Sequence, residues 1–274
     1  MKLGFIGGGN MAQALIVGLK SQQFVMPDIT VIELDASKCA ELQQNFGVIT
    51  SNDLKKIVSC DVIVLAIKPQ HMPALAKTLG TLLSTQLIIS IAAGIQLTDL
   101  SRWLGSYKNI IRAMPNTPAQ IQAGITGLYA LPNVSKQEIA TADQILSAAG
   151  STLWLDSEDK LDAITAISGS GPAYVFYFIE ALHEAALTLG LDESQAKQLS
   201  IATFKGASLL ADASTTPIAT LREQVTSKGG TTEQGLLSLE QSQVKQAINL
   251  AAQKACARAK TLGIELGRDE LGQS

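Results

Sequence analysis

At 274 residues the chain is longer than one average domain, so two domains are expected. Only 16% of it is charged, against roughly 25% in an ordinary soluble protein, while 46% is apolar and the net charge is −3. This balance excludes a basic stripe for nucleic acid and a polybasic membrane contact, and it implies apolar surface covered by a second copy of the chain.

The chain opens with Lys2 to Ile6, a buried-strand pattern, and then Gly7, Gly9 and Ala12 in the spacing G-x-G-x-x-G/A. In that pattern Gly7 makes the tight turn, Gly9 lets the backbone approach a pyrophosphate, and Ala12 allows close helix-strand packing. Met11, Leu15, Ile16 and Leu19 then recur at helical spacing. The strand before and the helix after favour dinucleotide binding over a plain structural turn, because the helix start offers free N–H groups and a positive dipole end. Ile29 to Glu33 reads as a second strand, followed by a helix that Asp35 caps and that turns Cys39, Leu42 and Phe46 inward. Glu33 stands where an acidic residue accepts hydrogen bonds from a ribose, or is a solvated charge. As a ribose ligand it favours NAD over NADP, since it repels a 2′-phosphate and no arginine follows it.

Asp61 to Ile67 is a continuous apolar run of the kind expected of a strand covered on both faces, and it ends in Lys68-Pro69-Gln70-His71. Lys68 is placed to reach a ribose or phosphate, or is a solvated loop lysine; His71 reads as a surface residue at a helix start. Leu87 to Ile91 ends in Ala92-Ala93-Gly94, small enough for a flat nicotinamide ring to lie close to the backbone. Asn109 to Met114 is another strand, followed by Pro115-Asn116-Thr117-Pro118, a stiff turn that exposes polar groups. Gly124 to Tyr129 and Ser151 to Leu155 read as strands around a helix from Ser135 to Ala149. Alternating strands and helices to about residue 155 give a Rossmann-type α/β parallel-sheet domain.

Beyond Asp156 the pattern is helical. Val175, Phe178, Ile179, Leu182, Ala185, Ala186 and Leu189 recur at three and four up to Gly190; Asp192 with Gln195 forms a capping box, Thr216-Pro217 opens another helix, and a last one runs from about Val244 to Thr261. These wide, Ala-rich faces predict an all-α domain that builds a homodimer by intertwining helices. The expected division is 1–158 for the dinucleotide and 159–274 for dimerisation and substrate. Two segments stand out within it. Ser168-Gly-Ser-Gly-Pro-Ala-Tyr174 places glycines where a helix would otherwise continue, for a close crossing or for a site. Ser227-Lys-Gly-Gly-Thr-Thr232 reads as an anion site at a helix start, suited to a carboxylate, in preference to a plain turn.

No apolar run approaches the roughly 20 residues of a membrane span, and the start of the chain passes directly into a strand rather than through a signal peptide, so the cytoplasm is expected. Cys39, Cys60 and Cys256, with only His71 and His183 beside them, have no metal-ligand spacing, and no metal is expected.

Taken together, Gly7 to Ala12, Ala66-Ile-Lys-Pro69, Ser90 to Gly94, Arg112 to Pro118, Ser168 to Tyr174 and Gly229 to Thr232 resemble pyrroline-5-carboxylate reductase, in order and over nearly the whole chain. In that family the first domain binds NAD(P)H, the second is a helical dimerisation domain, and the active site forms at the dimer interface. The resemblance implies reduction of 1-pyrroline-5-carboxylate, a cyclic imine carboxylate, to proline with NADPH or NADH, by a homodimer or a larger assembly of dimers. It implies that Thr232 hydrogen-bonds the ring nitrogen, that the N–H groups of Gly230 and Thr231 hold the substrate carboxylate, and that Gly229 and Ser168 also belong to the substrate site. Gly7, Gly9, Asn10, Met11 and Glu33 would hold the dinucleotide, Lys68 and Pro69 its nicotinamide ribose, and Ala92, Ala93, Met114 and Asn116 its nicotinamide. Two departures stand out: Lys228 where the family usually has proline, and Glu33-Leu34 where many members carry a short polar residue and arginine. A β-hydroxyacid dehydrogenase would need a lysine and an asparagine where Val175 and Ile179 stand. A non-catalytic dinucleotide sensor would have no use for Gly229 to Thr232.

Overall fold

The computed structural model describes residues 1–268. They divide into two compact units, Met1–Ser170 with residues 255–268, and Gly171–Lys254. The first unit is built on eight strands: β1 (Leu3–Ile6), β2 (Ile29–Ile32), β3 (Ile49–Ser51), β4 (Val62–Leu65), β5 (Leu87–Ser90), β6 (Ile110–Met114), β7 (Gly124–Ala130) and β8 (Gly150–Trp154). They lie in the order β3-β2-β1-β4-β5-β6-β7-β8. Helices α1 (Asn10–Ser21), α2 (Ala36–Phe46), α3 (Met72–Gly80), α4 (Leu97–Trp103) and α5 (Lys136–Ser147) connect them.

Every pairing is parallel except that of β6 with β7. The reason is the connection. Residues 115–123 hold only one short 3-10 turn, too little chain for the crossover that a parallel return requires. Strand β3 is the one strand the sequence pattern does not announce. It has three residues, none of them buried, at the sheet edge, so it carries no apolar run to detect.

Because side chains alternate along a strand, each central strand feeds two cores. Leu3, Phe5, Val62, Val64, Leu87 and Ile89 pack with Leu15, Leu19 and Ile145 on one face. Ile6, Ile63, Leu65 and Ile88 pack with Leu79, Leu100 and Trp103 on the other. Where α1 meets the chain after α5, Gly18 lies against the Ala148 carbonyl with no room for a Cβ. After β8 the chain makes α6 (Lys160–Ile164), and a single π turn, Thr165–Gly169, closes the first run.

The second unit is helical: α7 (Gly171–Thr188), α8 (Glu193–Asp212), α9 (Ile218–Gln224), α10 (Thr231–Gln241) and the start of α11 (Val244–Gly267), whose residues from 255 onward belong to the first unit. Gly190 ends α7's turn at φ +92°, and the Asp192–Gln195 capping box opens α8 with bonds of 2.9 and 3.1 Å. Only Ala196 and Ser200 are buried between residues 171 and 254. No helix among the described residues is long and apolar enough to cross a membrane.

Candidate active site

The order of strands reverses direction between β1 and β4, and ligands of open α/β sheets bind beyond the carboxyl ends of strands at such a point. The residues read above as dinucleotide-binding follow the carboxyl ends of parallel strands: Gly7 to Met11 after β1, Glu33 after β2, Lys68 and Pro69 after β4, Ala92 and Ala93 after β5, and Met114 and Asn116 at the end of β6.

In the glycine loop each position has a separate physical demand. Gly7 sits at φ +97°, and a Cβ there would lie 2.6 Å from the Ala66 carbonyl oxygen. Its N–H donates to the Ile32 carbonyl at 2.8 Å. A Cβ on Gly8 would strike Leu42, whereas one on Gly9 would meet nothing within 4 Å. Gly9 heads α1 with no side-chain cap, and no acidic residue stands in the first turn, so no side chain of the chain takes up the positive end of the helix. That combination suits a pyrophosphate. Gln13, which the motif does not mark, donates from Nε2 to the Gly8 carbonyl at 3.0 Å and braces the loop from inside α1.

Glu33, read above as a ribose ligand or a solvated charge, is bonded to main chain. Its Oε2 accepts the Gly8 N–H at 3.0 Å, and its Oε1 accepts those of Leu34 and Asp35 at 2.8 and 3.1 Å. Burial pushes its carboxyl pKa up, but the amides of Asp35, Gly8 and Leu34, with the charge of Lys38, outweigh that and hold it below the ordinary value. It stays charged, ties β2 to the glycine loop, and keeps one lone pair to spare, on Oε2.

Lys68 is exposed at the head of the turn Pro69–His71, and His71 is exposed beside it. Ala92 is buried and Ala93 half-buried; Gly94, at φ +78°, lies under Leu262 and Leu266 of α11. The glycines at 169 and 171 have different reasons. A Cβ on Gly169 would lie 2.6 Å from Met114 Cε, so the π turn approaches the end of β6 as closely as a glycine allows. Gly171 has nothing within 4 Å. Asn116 fixes the same junction: its Oδ1 accepts the Ile125 N–H at 2.9 Å, and its Nδ2 donates to Ser168 Oγ at 3.2 Å. Such π turns recur at functional sites. Beneath them lies a cluster that spacing could not reveal. Arg112, in β6 with its side chain 7% exposed, donates to Glu158 at 2.7 Å, and Glu158 also accepts the Leu97 N–H that opens α4.

In the second unit, Gly229 at φ +71° and Gly230 precede α10, whose start at Thr231 bears no side-chain cap. The Gly230 amide, expected to hold a carboxylate, is already taken, and so is that of Gly229. The Gly229 N–H donates to Glu233 Oε2 at 2.7 Å, and the Gly230 N–H closes its own turn onto the Ser227 carbonyl at 3.0 Å. Thr231 and Thr232 are exposed at the uncapped helix start. Glu233 was invisible as a partner because it reaches backward across a turn that only the folded loop creates.

A family model described as pyrroline-5-carboxylate reductase dimerisation matches residues 158–262, and one described as NADP oxidoreductase, coenzyme F420-dependent, matches residues 2–94. A pyrroline-5-carboxylate reductase from Pseudomonas aeruginosa is 41% identical over 268 residues, 96% of this chain and 98% of the relative. Among solved structures, one of a pyrroline-5-carboxylate reductase from Coxiella burnetii superposes with a TM-score of 0.91 at 39% identity, covering 95% of this chain and 98% of the other. The pyrroline carboxylate reductase of Plasmodium falciparum, solved with NADP bound, gives 0.86 at 30% identity, with 96% and 98% covered.

Proposed function

The chain belongs to the pyrroline-5-carboxylate reductase family, and from that membership we infer how its residues share the work. It is an NAD(P)H-dependent oxidoreductase that reduces 1-pyrroline-5-carboxylate to L-proline, the last step of proline biosynthesis. Its C-terminal part is the family's dimerisation domain, and the chain is a homo-oligomer acting on a small molecule.

The convergence of five strand ends on the uncapped α1 carries the cofactor assignment. Gly7, Gly9, Asn10 and Met11 seat the pyrophosphate, Glu33 meets the adenine-side ribose, Lys68 and Pro69 the other ribose, and Ala92, Ala93, Met114 and Asn116 the nicotinamide. Bound there, the cofactor supplies a hydride to the carbon of the protonated C=N bond, whose electron pair stays on nitrogen as the amine of proline. The chain's own task is placement and electrostatics, which suits its poverty in histidine. Thr232 Oγ1 accepts the N–H of the iminium and holds the ring in register. The Thr231 and Thr232 amides, at the positive end of α10, hold the substrate carboxylate; Gly229 and Gly230 shape the turn beside it, and Lys228 adds a positive charge. Ser168, fixed by Asn116, adjoins the substrate.

The finer assignments are residues 1–158 for the dinucleotide and 159–274 for pairing and substrate. The assembly is a homodimer or a set of dimers, working in the cytoplasm and without nucleic acid, in keeping with the net charge of −3. Replacing Thr232 tests the mechanism. Thr232→Ala is expected to lower kcat roughly 100-fold while the Kd for NAD(P)H, read by nucleotide fluorescence, holds. Turnover equal to that of the parent enzyme would remove Thr232 from the mechanism.

A further inference from the structure

The carboxyl end of β2 carries two carboxylates, and main-chain amides pin both in place. Glu33 is held by the N–H groups of Gly8, Leu34 and Asp35. Asp35 Oδ1 accepts from Ser37 N at 2.9 Å, Ser37 Oγ at 2.6 Å and Lys38 N at 3.3 Å. We propose that Glu33 and Asp35 make this site select NADH over NADPH, because together they occupy the donors and supply the charge that a 2′-phosphate would have to displace. The inference rests on the assignment of the glycine loop as the dinucleotide site.

In this fold the adenine-side ribose meets the residue that ends β2. The 2′-hydroxyl of NADH is a donor, and Glu33 has one lone pair left, on Oε2, to accept it. A 2′-phosphate brings close to two negative charges and acceptors only, so it needs cations or free N–H groups. The N–H groups at the start of α2 are the natural place for it, and Asp35 already fills them as the helix cap. The ammonium of Lys38, exposed in the first turn of α2, acts on both carboxylates: one positive charge against two negative. No arginine precedes Arg102, which lies in α4 beyond β5 and is bonded there to Asp99 and the Gly267 carbonyl. The bidentate cation that recognises a sugar phosphate is therefore missing from this end of the sheet.

The experiment is equilibrium binding of NADH and of NADPH to the whole purified protein, without substrate, at low salt. The two nucleotides share every group except the 2′-phosphate, so the ratio of Kd values isolates it. NADH is expected to bind at least about tenfold more tightly, and the ratio is expected to shrink near 0.5 M salt as the repulsion is screened. Glu33→Gln keeps an acceptor for Gly8 but removes the charge, and Asp35→Asn keeps a good helix cap while removing the other. Each should move the ratio several-fold toward NADPH, and Glu33→Ser with Leu34→Arg should invert it. If Glu33→Gln fails to fold, Asp35→Asn and the parent enzyme's own ratio still decide. Equal or tighter binding of NADPH by the parent enzyme overturns the proposal and leaves the dinucleotide site standing, as does an NADH preference that neither charge-removing variant changes. Binding of neither nucleotide would overturn the site assignment and the inference with it.

Discussion

Gly7 and Gly9 stand two residues apart and answer to different forces. Gly7 is required by the fold, since its positive φ and the Ala66 carbonyl leave no place for a side chain. Gly9 has an extended backbone that any residue can adopt and open space where a Cβ would go. Gly7→Ala is therefore expected to cost about 2–4 kcal/mol of stability, seen as a fall in the urea midpoint. Gly9→Ala should stay within about 1 kcal/mol of the parent in that assay yet weaken NAD(P)H binding at least tenfold. The reverse pattern would mean that the loop's roles have been exchanged. At this scale the sequence was legible as far as residue type. The motif named the glycines and Glu33, but the bonds from Gly8 to Glu33, Gln13 to Gly8 and Gly229 to Glu233 depend on how close the folded loops bring them.

Among the elements, β6 carries the most unusual residue, a buried arginine in an apolar strand. Arg112 Nη1 and the Leu97 N–H share one oxygen of Glu158, which ties β6, the start of α4 and the segment before α6 together. Asp162 lies 3.9 Å from the same guanidinium; burial raises its pKa, and the charge of Arg112 only partly offsets this. Removing one member of such a group leaves the other charge uncompensated. Glu158→Ala should destabilise by about 2–3 kcal/mol, less than for a fully enclosed pair because Glu158 is 20% exposed. Arg112→Met combined with Glu158→Gln should recover most of it. Urea unfolding of Arg112→Met, Glu158→Gln and the double checks this: strictly additive losses would show that the two side chains do not act as a pair. Arg112 and Glu158 are 46 residues apart. Periodicity placed Arg112 on its strand, but no local pattern joins it to Glu158, which lies in the turn before α6. Equally, the antiparallel β7 followed from the length of a connection, whereas β3 left no mark because its residues are not buried.

Taken whole, the molecule is unevenly buried. The first unit encloses two cores, while the second leaves Phe176, Tyr177, Leu189, Leu210 and Ile218 between 60% and 83% exposed in the single chain. Helices gain most of their stability from packed apolar faces, so this unit needs a second copy. Sedimentation at micromolar concentration is expected to give a dimer or a multiple of it, with a Tm that rises with protein concentration. Phe176→Glu with Tyr177→Glu should shift it to monomer and abolish turnover; a monomeric, fully active parent protein would refute the shared assembly.

The sequence by itself determined the alternation of strands and helices, the glycine loop, the change to helices near residue 156 and the family, because each is written in local periodicity or in the order of short motifs. Tertiary structure alone decided which distant segments meet. It brought the Gly8 N–H onto Glu33 and set Ser168 against Asn116 and Gly169 against Met114. The physical reason is range. Periodicity and propensity act over a few residues, whereas a hydrogen bond or a close approach between segments tens of residues apart exists only once the sheet has fixed the distance between them.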